Sequence, residues 1–114
     1  MNSLRNKVQL IGNLGNAPEC KQTESGSKLA KFSLATNELY TNNKGEKVKE
    51  TQWHQLFAWG KVADIVEKYI EKGSEVAIEG KLVTRDYIDK EGNKKYVTEI
   101  QVYELLMLGS KKSI

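Results

Sequence analysis

At 114 residues the chain is one domain's worth, enough for one modest core and too short for two, and a composition of 39% hydrophobic and 29% charged residues excludes a disordered chain. A net charge of +3, from 18 basic and 15 acidic residues, permits a nucleic-acid partner without requiring one, because clustering of charge counts for more than its sum. The single cysteine, Cys20, excludes an intrachain disulfide, and neither a signal-peptide h-region nor an apolar run longer than 105–108 is seen, so a cytoplasmic, reducing location is expected.

Strand patterning dominates. Residues 4–14 set Val8, Leu10 and Leu14 against Lys7, Gln9 and Asn13 in alternation. Gly15 to Pro18 is turn chemistry, and a short strand follows at 19–23. Residues 28–37 place Ala30, Phe32, Leu34 and Thr36 on one face. Residues 41–50 read as a polar loop with Gly45 at its tip, and 51–59 as a strand rich in aromatics.

The one helical pattern is 61–72. Val62, Ile65, Val66, Tyr69 and Ile70 recur there at helical spacing, with Gly73 in C-cap position. Residues 75–88 form a strand in which Gly80 implies a bulge or sharp bend. A hairpin turn at 89–93 leads into the last strand, 95–108. The long elements thus run strand, strand, strand, helix, strand, strand. That order fits an all-β fold, a five-stranded OB-type barrel with one α-helix between strands 3 and 4, closed so that no long sheet edge is exposed. Periodicity alone also allows an SH3-like barrel or a small α+β sandwich.

Chemistry for catalysis is hard to find. His54 is the only histidine, and no second His, Cys or paired carboxylate stands at metal-ligand spacing, so neither a metal site nor a cofactor is expected. Gly12 to Gly15 is only G-x-x-G and lacks the helix that should open directly after a phosphate-binding loop. The chain is therefore read as a non-enzyme.

The aromatics point elsewhere. Tyr40, Trp53, Trp59 and Tyr87 are interleaved with basic residues. Lys44, Lys47 and Lys49 lie between Tyr40 and Trp53, Lys61 follows Trp59 by two positions, and Arg85 precedes Tyr87 by two, on the same strand face. Lys94 and Lys95 lie across the following hairpin. An unpaired base stacked on such a ring gains about 1–3 kcal/mol whatever its identity, a magnitude known from single-strand binders at large. Phosphates between the bases call for Lys and Arg. Trp53, Phe57 and Trp59 share one parity and His54, Leu56 and Ala58 the other, and parity alone allows either face to turn inward.

The chain also resembles a known family. Residues 6–19 (NKVQLIGNLGNAPE), 31–37 (KFSLATN), 50–82, 84–96 (TRDYIDKEGNKKY), 98–100 (TEI) and 107–109 (MLG) are similar, in order, to bacterial single-stranded DNA-binding proteins. The strings W-H-x-x-x-x-x-G-K-x-A-x-I from Trp53 and K-G-S-x-V-x-I-E-G-x-L from Lys72 are the most specific parts. The resemblance implies an OB domain over 1–110 and a homotetramer, with a dimer as the alternative assembly. It also implies sequence-tolerant binding and protection of single-stranded DNA in replication, recombination and repair, at the bacterial nucleoid.

Carried over by position, the stacking residues are Tyr40, Trp53, Trp59 and Tyr87. Tyr40 and Tyr87 stand where Trp is usual, and Trp59 where Phe is usual. Among basic positions Lys7, Lys49, Lys61, Lys72 and Arg85 match the family; with Arg5, Lys44, Lys47, Lys94 and Lys95 they make up the expected phosphate contacts, and His54 matches a position at the family's subunit interface. Gln55, Val83 and Asp86 occupy positions that are often basic in the family, which implies a shallower salt dependence. The family usually continues into a Gly/Pro/Gln-rich tail with an acidic end, whereas 111–114 form a short basic end here; the resemblance leaves open a tail that was removed and a tailless accessory version, and in both cases recruitment of repair proteins through a tail is doubtful for this chain. The alternative reading is an OB-fold adaptor of primosome type that binds DNA weakly and works through protein contacts.

Overall fold

The computed structural model describes residues 4–108. Its elements are β1 (Val8–Leu14), β2 (Glu19–Gln22), β3 (Lys28–Thr41), β4 (Lys47–Trp59), α1 (Gly60–Tyr69), β5 (Glu75–Ile88) and β6 (Lys94–Leu108). The sheet order is β1-β5-β6-β4-β3-β2, and an added β1–β3 pairing closes it. The barrel proper is five-stranded, because the short β2 pairs with β3. Counted within the barrel, α1 lies between the third and fourth strands, as the sequence pattern implies.

Closure depends on two short pairings. Asn13 and Leu14 of β1 meet Ala35 and Leu34 of β3. Leu56 and Phe57 of β4 run parallel to Ile100 and Gln101 of β6. Around these, alternate residues turn inward. Ala30, Phe32 and Leu34 of β3, Leu56 and Ala58 of β4, Val76 and Ile78 of β5, and Ile100 and Val102 of β6 are all buried. Ala63 and Val66 of α1, with Ile70 just after it, close the core from the helix side.

Gly80 sits at the bulge its position in the sequence implied. The register of β5 on β6 shifts between Glu79 and Gly80, and the unmatched residue is Tyr103 on β6. Two glycines let backbones approach where a side chain cannot fit. A Cβ at Gly12 would lie 2.2 Å from the Ala35 carbonyl oxygen, and one at Gly80 only 2.0 Å from that of Gln101.

Three local expectations are corrected. The polar loop at 41–50 is mostly hairpin, since β3 continues to Thr41 and β4 begins at Lys47, with Thr41 paired to Lys47. The turn is held by the Asn42 side-chain oxygen, which accepts from the backbone N–H of Lys44 and of Glu46. The helix ends at Tyr69 rather than at 72, because Ile70 takes an extended conformation and its side chain enters the core. Gly73 therefore does not cap it. The Gly73 N–H donates to the Leu14 carbonyl, and Leu14 N–H donates to the Ser74 carbonyl, tying this segment to the end of β1. Finally, Ile65 and Tyr69 are exposed rather than part of the inward stripe.

Among the described residues no helix is long and apolar enough to cross a membrane. Residues 1–3 and 109–114, which include the basic end at 111–114, lie outside the described residues.

Replacing Gly80 by Ala forces the Gln101 backbone outward. Unfolding in urea at fixed protein concentration should show a loss of about 1–3 kcal/mol, the usual cost of overpacking, with the m-value unchanged.

Candidate nucleic-acid interface

Strand parity on β4 is decided by the core. Leu56 and Ala58 are buried, so Trp53, Gln55, Phe57 and Trp59 face outward. Trp53 is 59% exposed and Trp59 41%. At about 3.3 Å per residue the two rings are carried roughly 20 Å apart on one strand face, with Phe57 between them. Lys31 of β3 stands opposite Phe57, and Lys49 stands opposite the exposed Leu39 nearer the hairpin tip. Lys47 and Lys49 share the parity of Trp53, whereas Lys44 lies in the turn.

The outward face continues onto the neighbouring hairpin. Phe57 is beside Gln101 of β6, and Gln101 is opposite Lys81 of β5. Farther along, Val83 faces Glu99, Arg85 faces Val97 and Tyr87 faces Lys95. Trp53, Trp59, Tyr87, Arg85, Lys47, Lys49 and Lys95 are thus brought onto outward-facing positions of connected strands.

Tyr40 is not on this face. It pairs with Val48, on the parity of β3 that is buried farther down the strand. It is exposed because β3 and β4 run beyond the core, where neither face of the ribbon is covered. Lys94 also lies on the other side of its hairpin, paired with Asp86 at 3.4 Å and 5.9 Å from the centroid of the Tyr96 ring. His54 takes inward parity and is half-buried. Its Nε2 lies 3.1 Å from Thr36 Oγ1 in a hydrogen bond.

Trp53 has a built seat. Gly15 lies so close beneath the indole that an added Cβ would fall 2.2 Å from Cζ3 and 2.8 Å from Cη2. The turn holding Gly15 is pinned to β3. Asn16 Oδ1 accepts hydrogen bonds from the Ser33 backbone N–H (3.0 Å) and from Ser33 Oγ (2.9 Å), and Gly15 N–H donates to the Ser33 carbonyl. The ring is therefore oriented before any ligand arrives.

The basic residues fall into two groups. Lys7 contacts Glu79 at 3.4 Å, and Arg85 Nε donates to Glu99 Oε1 at 3.0 Å. The hydrogen bond to Glu99 and its charge raise the guanidinium pKa further above its already high value. Lys44, Lys47, Lys49, Lys61, Lys72 and Lys95 show no ion pair among the described residues. Arg5 is exposed just ahead of β1, where Asn6 clamps Leu82 by accepting from its N–H (2.9 Å) and donating to its carbonyl (3.1 Å). Of the positions where a basic residue was missed, Gln55 is exposed on the outward face, Val83 is half-buried opposite Glu99, and Asp86 holds Lys94.

Trp59 also lines a groove, together with Gln22, Ser27, Lys28 and Asp64. Lys28 is held there by Glu67 and by Asp64 at 2.9 Å, and these contacts raise its ammonium pKa. Among the described residues no cluster of three or more His, Cys, Asp or Glu could hold a metal ion. Sequence reasoning did not select Lys31 or Lys81. Each takes its outward position from cross-strand register, which a linear pattern does not reveal.

The family model described as the single-strand binding protein family matches residues 5–108. The chain belongs to that family. It is 50% identical over 109 residues to single-stranded DNA-binding protein 1 of Chlorobaculum tepidum, covering 95% of this chain and 67% of the relative. It is 42% identical to the Xylella fastidiosa protein of the same name, covering 94% and 79%. Among solved structures it is similar to the Plasmodium falciparum SSB in complex with ssDNA, with a TM-score of 0.85 and 35% identity, covering 96% of this chain and all of that one.

Because the Trp53 ring rests on Gly15, Gly15→Ala should tilt or lift the indole while sparing the barrel. The expected result is an altered near-ultraviolet dichroism and tryptophan emission with an unchanged far-ultraviolet spectrum, and weaker binding of oligo-dT by about 1–2 kcal/mol, within the range of one lost stacking platform.

Proposed function

We propose that this chain binds and protects single-stranded DNA with little preference for sequence, in replication, recombination and repair. The observation that carries this reading is the pair of exposed indoles on one face of β4, with Trp53 pre-seated on Gly15. Exposed tryptophan in a small barrel is an unfavourable use of apolar surface unless something flat covers it. A ring that stacks on any base offers no base-edge code, so sequence tolerance follows from the choice of contact.

The stacking set is Tyr40, Trp53, Trp59 and Tyr87. The lysines with no ion pair among the described residues, Lys44, Lys47, Lys49, Lys61, Lys72 and Lys95, answer the phosphates directly. Arg5, Lys7, Arg85 and Lys94 join them, the last three by exchanging a carboxylate for a phosphate. Family membership supports the same reading, as does the likeness to a relative solved with ssDNA.

No bond is made or broken in this function, and we infer that the protein acts by binding alone, without metal or cofactor. The working form is a homotetramer in the cytoplasm at the nucleoid, with the OB domain spanning 1–110 and His54 near a subunit contact. The Thr36–His54 hydrogen bond fixes the ring's direction from within one protomer.

Titration with poly-dT at low and high salt tests this reading. Tryptophan emission should be quenched strongly, less so as salt rises, with duplex DNA far weaker. Trp53→Ala and Trp59→Ala should each weaken oligo-dT binding by about 1–3 kcal/mol. Salt-independent or absent quenching would sink the proposal and leave the adaptor reading in its place. A second measurement reads the parked arginine. Glu99→Gln should tighten oligo-dT binding, because Arg85 no longer leaves a carboxylate to reach a phosphate, while the log–log salt slope, which counts phosphate contacts, stays unchanged.

A further inference from the structure

Trp59 ends β4 at the point where the strand turns into α1. Its own backbone is extended, and Gly60 takes the left-handed region at φ 66° to enter the helix. No side chain caps this helix, and nothing among the described residues hydrogen-bonds the Trp59 indole. A Cβ added at Gly60 would meet nothing within 4 Å, so the adjacent glycine gives Trp59 no seat of the kind that Gly15 gives Trp53.

Trp59 instead borders a groove of about 520 Å³, shared with Gln22, Ser27, Lys28, Gly60 and Asp64. An opening of that size can take a whole small molecule, and so has room for an indole. One of its walls is stiff. In the β2–β3 turn, Thr23 N–H donates to the Ser27 carbonyl, Gly26 N–H to the Thr23 carbonyl, and Gln22 Nε2 to the Gly26 carbonyl. Lys28 leaves this turn at the start of β3 and reaches two carboxylates of α1, Asp64 at 2.9 Å and Glu67. Those two lie three residues apart and so are neighbours on the helix surface, and one ammonium answers both. The lowered pKa of the Asp64 carboxyl has Lys28 as its first cause and Lys68 as its last.

Folding does not depend on this clamp. Ala63, Val66 and Ile70 already hold the helix on the core, and ion pairs at a surface add little stability. What the clamp supplies is a charged lining at the place where the Trp59 ring has room to leave the β4 face. An indole laid over the pair would strip water from an ammonium and a carboxylate, which is costly. With the charges gone, the same groove would be an apolar resting place.

We propose that Lys28, held between Asp64 and Glu67, is a positioning residue for Trp59: the clamp keeps the groove polar, so the indole stays on the outward face of β4, open to a base. The inference rests on the stacking role proposed above for Trp59 and names what keeps that ring in place. The two tryptophans then have different supports, a backbone seat for Trp53 and a fence of ion pairs for Trp59.

The test reads Trp59 alone. The chain has two tryptophans, so Trp53→Phe leaves one indole emitter and keeps a ring at position 53. In that background, Lys28→Met should move the Trp59 emission to shorter wavelength and reduce its quenching by acrylamide. Lys28→Arg keeps both contacts and should keep the parent's emission. Asp64→Asn combined with Glu67→Gln frees Lys28 and should shift the emission as Lys28→Met does. Melting temperatures should be nearly unchanged throughout. Lys28→Met should bind oligo-dT roughly tenfold more weakly with an unchanged log–log salt slope, because a stacked ring is lost rather than a phosphate contact.

Three results would overturn the inference. An unmoved Trp59 emission in Lys28→Met would do so whatever the change in melting, since the clamp would then serve stability at most. An equal shift in Lys28→Arg would mean that the ring answers to any change at position 28 and not to the ion pairs. A salt slope shallower by about 0.7 in Lys28→Met would make Lys28 itself a phosphate contact. The emission is read on the free protein, so it decides the positioning role even if the unmodified chain fails to bind poly-dT. That failure would remove the binding function itself.

Discussion

Everything on the outward face follows from the closeness of backbones at two points of the barrel. Where β1 bends toward β3, the Gly12 Cα passes under the Ala35 carbonyl, and where β5 shears on β6, Gly80 passes under that of Gln101. A methyl group at either place would overlap a main-chain oxygen, which cannot rotate away. Closure at these points turns Leu56 and Ala58 inward together with Ile78 and Ile100. Once those are inside, the period of two in a strand leaves no freedom: Trp53, Phe57 and Trp59 must point out. The exposed indoles are thus a consequence of packing on the opposite side of the same strand.

That coupling explains what was legible in the sequence. The alternation in β1 and β3, the helix before β5 and the break at Gly80 all arise where one face is buried and the other wet, the condition under which pattern reports structure. The tips of the hairpins do not meet that condition. Residues 38–41 and 47–50 are open on both faces or nearly so, with no apolar rhythm, and 41–50 read as loop although Thr41 and Lys47 to Glu50 pair in register. The helix misled in the opposite way. Its apolar residues include two, Ile65 and Tyr69, that are placed by neither core packing nor the cap, and the inward positions include Ala63, too small to announce itself.

For the candidate site, the side chains were legible and their grouping was not. Tyr40, Trp53, Trp59 and Tyr87 stand out by type and by their basic neighbours. That Tyr40 sits on the opposite side of its ribbon from Trp53 follows only from the pairing of Tyr40 with Val48. That Arg85 is already engaged follows only from the diagonal relation of Arg85 to Glu99 across β5 and β6. Position along one strand says little about a partner on the next until the register is known.

The arrangement of charge shows how a chain of net charge +3 can serve a polyanion. Lys7, Arg85 and Lys94 are each matched by a carboxylate at the surface, where solvent screening makes such pairs weak and easily exchanged. They limit self-repulsion in the free protein and hold long side chains near the strands on which they are needed. In the proposed function the lysines at 44, 47, 49 and 61, which have no ion pair among the described residues, act over longer range and draw a strand in. Electrostatics of this kind is graded by salt and indifferent to sequence. Stacking is short-ranged and equally indifferent to sequence, but it requires the base to be unpaired. In the proposed function the aromatic face therefore supplies the discrimination between single and double strands that charge alone cannot make, and the pre-seated Trp53 supplies it without having to order a ring first.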